Sequence, residues 1–325
     1  MATLGAQWEL WLALDMKNVD AVDAALAAGA DPNEPLPVDE YARWLVLRHK
    51  EGEEAAEKAA RDLAASFREL PELRKKCGYP AIEGETGFYP LAGALGSPEC
   101  VGRLLAAGAR TGDRSPLGGH TVLHVLADMW YLYDHAVSTA EILLEAGAPL
   151  EVFNQEGRTP LQAACWRKAD GALIAALLRH GASVTAPDRD GDTALHGAGF
   201  WDEGYLPWPL DNDDVYIGDD DEEEEEEEED LNPGEPWGAR EAVEALVAAG
   251  ADPNGINPQN GYTPMHWASV HHGQPYLEFL EALFDKGGRV DIPNGKGICP
   301  ADAFLDDEAA ETAPNFYAAV LKARK

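Results

Sequence analysis

The side chains best suited to chemistry in this chain of 325 residues are its nine histidines and four cysteines, and their spacing argues against most chemistry. His120 and His124 are four residues apart, a spacing that could place two metal ligands on one helix face. His120, however, falls just before a helix start, which weakens that pairing. His266, His271 and His272 lack a nearby carboxylate or thiol to complete a metal set. Cys77, Cys100, Cys165 and Cys299 are widely spaced and form no CxxC pair, the pattern of a reducing compartment. No Gly-x-Ser-x-Gly elbow, phosphate loop or dinucleotide fingerprint occurs. Residues 219–230 are twelve consecutive acids, without the alternating ligands and central Gly of a calcium loop. The sequence therefore predicts no catalytic residue, no cofactor and no metal, and a protein that is not an enzyme.

The elements that carry these residues recur. Gly157-Arg-Thr-Pro-Leu-Gln-Ala-Ala, Gly191-Asp-Thr-Ala-Leu-His-Gly-Ala and Gly261-Tyr-Thr-Pro-Met-His-Trp-Ala share one pattern, with weaker copies at Gly87, Gly119 and Gly297. Thr before Pro is a helix start: the hydroxyl caps an orphan N–H, and Pro has its φ already set. An apolar helical stretch follows, such as Ala172, Leu173, Ala176 and Leu177, and Gly181 stops it. Asp-Pro-Asn at 31–33 and 252–254 is turn chemistry directly after a helix stop. Each unit reads turn, helix, turn, helix, stop. A unit this small cannot bury its apolar face alone and must stack on neighbours.

These motifs resemble the ankyrin repeat family, over about residues 10–33 and 84–325. The resemblance implies an all-α, ankyrin-like helical solenoid of about seven repeats with two insertions. It also implies that His124, His196 and His266, all at one repeat position, tie a helix start to a neighbouring loop. The expected organisation is an N-terminal capping repeat at 1–33, a helical insertion at 34–83, and repeats two to seven at 84–325, interrupted by an acidic loop at about 202–237.

The insertions come from the repeat ruler. From a closing Gly to the next motif Gly the interval is 10 or 11 residues in five cases, but 58 between Gly29 and Gly87. From motif Gly to closing Gly it is 21 to 28 in four units, but 59 between Gly191 and Gly250. In the first insertion Ala56, Ala60, Leu63, Phe67 and Leu70 repeat at helical spacing ahead of Pro71. The second holds the acidic run, which repels itself and is expected to be disordered.

The formal net charge is −34, and 211–230 hold 15 acids with no Lys or Arg, so the remainder carries −19. An acidic chain without a basic stripe disfavours direct nucleic-acid binding and anionic membranes. It favours a basic protein partner captured by electrostatic steering, such as a toxin, a nuclease or another nucleic-acid-binding protein. With no evident signal peptide and no run of membrane-span length, the expected compartment is the cytoplasm, and the unbound chain is expected to be a monomer.

The resemblance also implies where that partner touches. Positions nine and ten after the motif Gly face the concave surface, and position one is exposed. Trp166 stands at plus nine and Trp201 at plus ten. Trp130, with Tyr131 and Tyr133 beyond it, stands at plus eleven in a longer unit, and His271 is at plus ten. Position one holds His120, Arg158, Asp192 and Tyr262. The resulting expectation is a protein-binding scaffold with an aromatic concave groove, either an immunity or antitoxin-like inhibitor of a basic protein, or an acidic chaperone acting as a polyanion mimic.

Overall fold

A computed structural model describes residues 2–35, 89–115, 118–128, 135–199, 238–269, 274–303 and 314–323. The acidic loop and nearly all of the 34–83 insertion lie outside these residues. The described residues form α-helices and connecting turns, with no strand among them.

Two compact units divide the chain, Met1–Cys165 with Ala172–Ala194, and Trp166–Gly171 with Leu195–Lys325. The helices of the first are α1 (Ala2–Asp15), α2 (Val19–Ala27), α3 (Pro90–Gly93), α4 (Pro98–Ala106), α5 (Val122–Asp128), α6 (Ala136–Glu145), α7 (Pro160–Trp166) and α8 (Gly171–Arg179). Those of the second are α9 (Ala194–Gly199), α10 (Ala239–Ala248), α11 (Pro264–Ser269), α12 (Gln274–Asp285), α13 (Pro300–Ala303) and α14 (Pro314–Ala323). Leu95, Leu104, Leu123, Leu143, Leu161 and Ile174 are fully buried in the first unit, and Val243, Leu246, Met265, Phe279, Leu283 and Phe316 in the second.

Local chemistry sets the helix ends. Ser97 Oγ accepts from the Cys100 N–H at the start of α4, with Pro98 in the first helical position. At the other end, each Gly-Ala is one hydrogen-bonded stop. The Gly turns to positive φ, and the Ala N–H then reaches back to a carbonyl five residues earlier: Ala30 to Ala25, Ala109 to Leu104, Ala148 to Leu143, Ala182 to Leu177 and Ala251 to Leu246.

The repeats are joined through one backbone carbonyl, that of the residue after the motif Gly. Within its own loop the carbonyl of Arg158 accepts from the Asn154 N–H at 2.9 Å, and that of Ile298 from Asn294 at 2.8 Å. The same carbonyls also accept a side-chain bond from the preceding repeat. His124 Nε2 donates to Arg158 O at 2.9 Å, and His266 Nε2 to Ile298 O at 3.0 Å. The other ring nitrogen, Nδ1, accepts from the N–H of Thr121 or Thr263, and so straps its own helix start. Gln162 does both jobs without a ring: Oε1 accepts from the Thr159 N–H, and Nε2 donates to Asp192 O and Ala186 O. The expected tie from helix start to neighbouring loop is thus made by His or Gln.

Two of these links span long stretches of sequence. His196 Nε2 bonds Tyr262 O across 66 residues, where His124 and His266 span 34 and 32. Asn33 bonds the Gly108 carbonyl and the Arg110 N–H, 75 and 77 residues away. Asn254 makes the same pair of bonds to Gly287 and Arg289 at 33 and 35. The Asp-Pro-Asn turn therefore reaches the end of the next unit in both places, whatever length of chain intervenes.

Close approach of successive loops explains the motif Gly. Gly157 has φ +72°, and a Cβ there would lie 2.7 Å from the Arg189 backbone nitrogen. Gly261, at φ +78°, meets the Gly295 backbone more closely still. Neither the conformation nor the space admits a side chain.

The His clasp makes stability acid-sensitive. Burial, reinforced by the nearby His120, lowers the His124 pKa to about 3 from an ordinary 6.5, against the opposing pull of the Arg158 carbonyl and Asp128. The unfolded imidazole takes its proton near the ordinary value, so the unfolded state binds more protons between about 6.5 and 3. The clasp's contribution is complete above this window and falls by up to about 1.4 kcal/mol per pH unit as acid is added. Burial also lowers the His266 pKa. In thermal melts His124→Gln should reduce the loss of Tm between pH 7 and pH 4, because an amide does not titrate. His124→Ala should cost about 1–3 kcal/mol at pH 7, because the Thr121 N–H loses its acceptor while the Arg158 carbonyl keeps its bond from Asn154.

Candidate partner-binding surface

The end of α7, the turn after it, and α9 and α11 in the second unit position a half-buried aromatic cluster. Trp166, the last residue of α7, lies over Gly197 of α9, where an added Cβ would sit 2.5 Å from its indole Cδ1. The glycine leaves the room that the ring fills. Trp267 meets Trp166 edge to face, with ring centroids 6.2 Å apart at 71°. Tyr262 meets Trp267 at 5.5 Å and 66°. Tyr262 also stacks on His266 at 5.3 Å, whose ring the clasp already holds in place. These are the offset and perpendicular arrangements that aromatic quadrupoles favour. Trp166, Tyr262 and Trp267 are each partly exposed, while Met265, His266 and Ala268 beside them are buried.

Lys168 fixes the turn after Trp166. It adopts φ +53°, and its ammonium donates to the Ala198 carbonyl near the end of α9, where a cation is favoured.

The remaining sequence-predicted residues fall in two groups. Trp130, Tyr131, Tyr133, Trp201 and His271 lie outside the described residues. His120, Arg158 and Asp192 belong to the first unit. His120 Nδ1 lies 3.0 Å from Asp128 Oδ2, and Asn154 Nδ2 donates to its Nε2 at 3.3 Å. Arg158 is drawn in by Glu156 at 2.9 Å and Asp188 at 3.5 Å, leaving its side chain 14% exposed. Burial raises the Asp188 pKa, against its bonds from the Asp190 and Asp192 N–H groups and the Arg158 charge.

Asp192, expected at an exposed position, is 1% exposed. Its N–H donates to Asp188 Oδ1 at 2.8 Å and its carbonyl takes the Gln162 clasp, so the whole residue is held inside the loop junction. Trp267 is the residue that the repeat ruler missed. It stands at plus six, one place after the clasp His, and its signal was a bulky aromatic where the other strong copies have Ala or Gly. Among the described residues no group of three His, Cys, Asp or Glu is placed to hold a metal ion, and no helix is long and apolar enough to cross a membrane.

The ankyrin repeat family model matches residues 156–189 and 260–295, the stretches whose loop-to-loop clasps are described above. These two stretches match the ankyrin repeat. The fold of the chain is therefore of the helical-solenoid class, and ankyrin repeats are scaffolds for protein–protein interaction. Relatives across the wider chain agree. E3 ubiquitin-protein ligase KEG of Arabidopsis thaliana is 28% identical over 271 residues, covering 79% of this chain and 16% of that protein. Ankyrin repeat and SOCS box protein 16 of Homo sapiens is 29% identical over 246 residues, covering 73% of this chain and 51% of that protein. The chain thus spans about half or less of the length of these curated relatives.

The indole over Gly197 supplies a local test of the repeat-borne cluster. Gly197→Ala should displace Trp166, change the near-ultraviolet circular dichroism of the Trp166–Trp267 pair, and cost about 1–3 kcal/mol. Unchanged near-ultraviolet signal and stability would remove Trp166 from the pocket described.

Proposed function

We propose that this protein is a non-enzymatic scaffold that binds a basic protein, using the Trp166, Trp267 and Tyr262 cluster as its apolar anchor and its acidic surface for steering. The observation that carries this reading is the cluster itself: three large aromatic side chains held in place yet partly exposed. Trp and Tyr dominate interface energetics, and a well-buried anchor contributes about 2 kcal/mol or more. The net charge of −34 selects the partner's sign. Trp130, Tyr131, Tyr133, Arg158, Trp201 and His271 stay proposed partner contacts on the strength of their repeat positions alone. An immunity or antitoxin-like inhibitor, covering the cationic site of a toxin or nuclease, is the form of this function that the charge favours.

Capture from native lysate at low and high salt, followed by identification of the bound protein, tests the proposal. A basic protein should be captured, with binding weakened by salt and reduced at least about tenfold in Trp267→Ala. Deleting 211–230 should slow association and leave most of the affinity. Loss of nearly all salt-sensitive binding on that deletion, with Trp267→Ala unaffected, would point instead to a polyanion-mimic chaperone. Capture indifferent to salt, to the deletion and to Trp267→Ala would defeat both.

A further inference from the structure

Helix α1 buries one face and carries a row of large apolar side chains on the other. Ala6, Leu10, Trp11, Ala13 and Leu14 are buried, with Gly93 of α3 placed against the Trp11 ring. On the outer side Trp8, Leu12 and, just past the helix end, Met16 repeat every four residues, at 42%, 48% and 59% exposure. The four-residue step puts them in one row. Glu9 and Asp15, the last residue of the helix, are its charged residues. Three large apolar side chains exposed in one row form a contiguous patch suited to being covered.

The chain's own path identifies what covers it. Gln7, beside Trp8, holds the departing strand of chain: its Nε2 donates to the Asp31 and Glu34 carbonyls, and its Oε1 accepts from the Asp31 N–H. The chain returns at Tyr89, directly before α3, which packs on Trp11. Both ends of the stretch 36–88 are therefore anchored beside α1. That stretch contains the row Ala56, Ala60, Leu63, Phe67 and Leu70, whose spacing of four and three residues lines one face of a helix.

We propose that the outer face of α1 is the docking surface for this chain's own segment 36–88, through the row from Ala56 to Leu70. The dimensions match: fifteen helical residues span about 22 Å and α1 about 21 Å. Tethering at both ends supplies an effective concentration on the order of millimolar, well above that of a second molecule. A second copy is also a poor fit in area, since a stable contact buries roughly 800 Å² per partner, more than three side chains supply.

Photo-cross-linking in the full-length chain tests this directly. With a benzophenone side chain in place of Leu12, the product should be an internal link to a peptide within 56–70, at the mass of one chain. Phe67→Asp should reduce its yield at least about tenfold, the scale set by one buried Phe side chain. Hydrogen exchange over 90–106 should stay unchanged, showing that the repeats remain folded. A product at the mass of two chains, a link to any other segment, no link, or a yield insensitive to Phe67→Asp would each overturn the proposal.

Discussion

One carbonyl oxygen, in each of the four loops that hold Arg158, Asp192, Tyr262 and Ile298, organises the described structure. It belongs to the residue after the motif Gly, and it accepts from its own loop and from the His or Gln of the repeat before. The bond forms only if the motif Gly lets adjacent loops come together, and if Thr and Pro start the helix where the clasping side chain can turn inward. Three features of the recurring phrase thus serve one geometric demand. The energetic weight of the bond comes from its burial: His124 and Gln162 are fully buried, so an unmade partner there would cost its full desolvation. The same burial keeps the imidazole of His124 neutral and makes acid a disruptor of the fold.

These bonds also close over long stretches of chain. His196 finds the next loop after 66 residues and Asn33 finds the next helix end after 75. Closing a longer loop costs entropy only logarithmically, while the bond at its base is as short as elsewhere. For a binding scaffold that separates two roles. The described helices hold side chains still, as they hold Trp166 over Gly197, while the sequence between them varies in charge and composition.

Much of this was legible in the sequence because it depends on local chemistry. Thr-Pro marked the starts of α7 and α11 and Gly-Ala marked the stops, while the clasp of the repeated His was implied by the family resemblance rather than by local chemistry. What escaped depends on neighbours. Asp192 looked exposed by its place in the ruler, yet its burial follows from how Gln162 and Asp188 meet it. Trp267 was passed over because its meaning lies in Trp166, a hundred residues earlier in the chain. Asn33 and Asn254 read as turn residues, and only the stacked partner shows that their amides also bind the next unit. The Arg158 side chain is held by Asp188, another contact that no single repeat contains.

The central claim is that the partner is gripped by the aromatic cluster. Hydrogen exchange on the isolated complex with its captured protein, compared with the free chain, measures this most directly. The account predicts new protection concentrated in the turn after α7 and in 259–269, around Trp166, Tyr262 and Trp267. Protection confined to other faces, with both of these stretches exchanging as in the free protein, would contradict it.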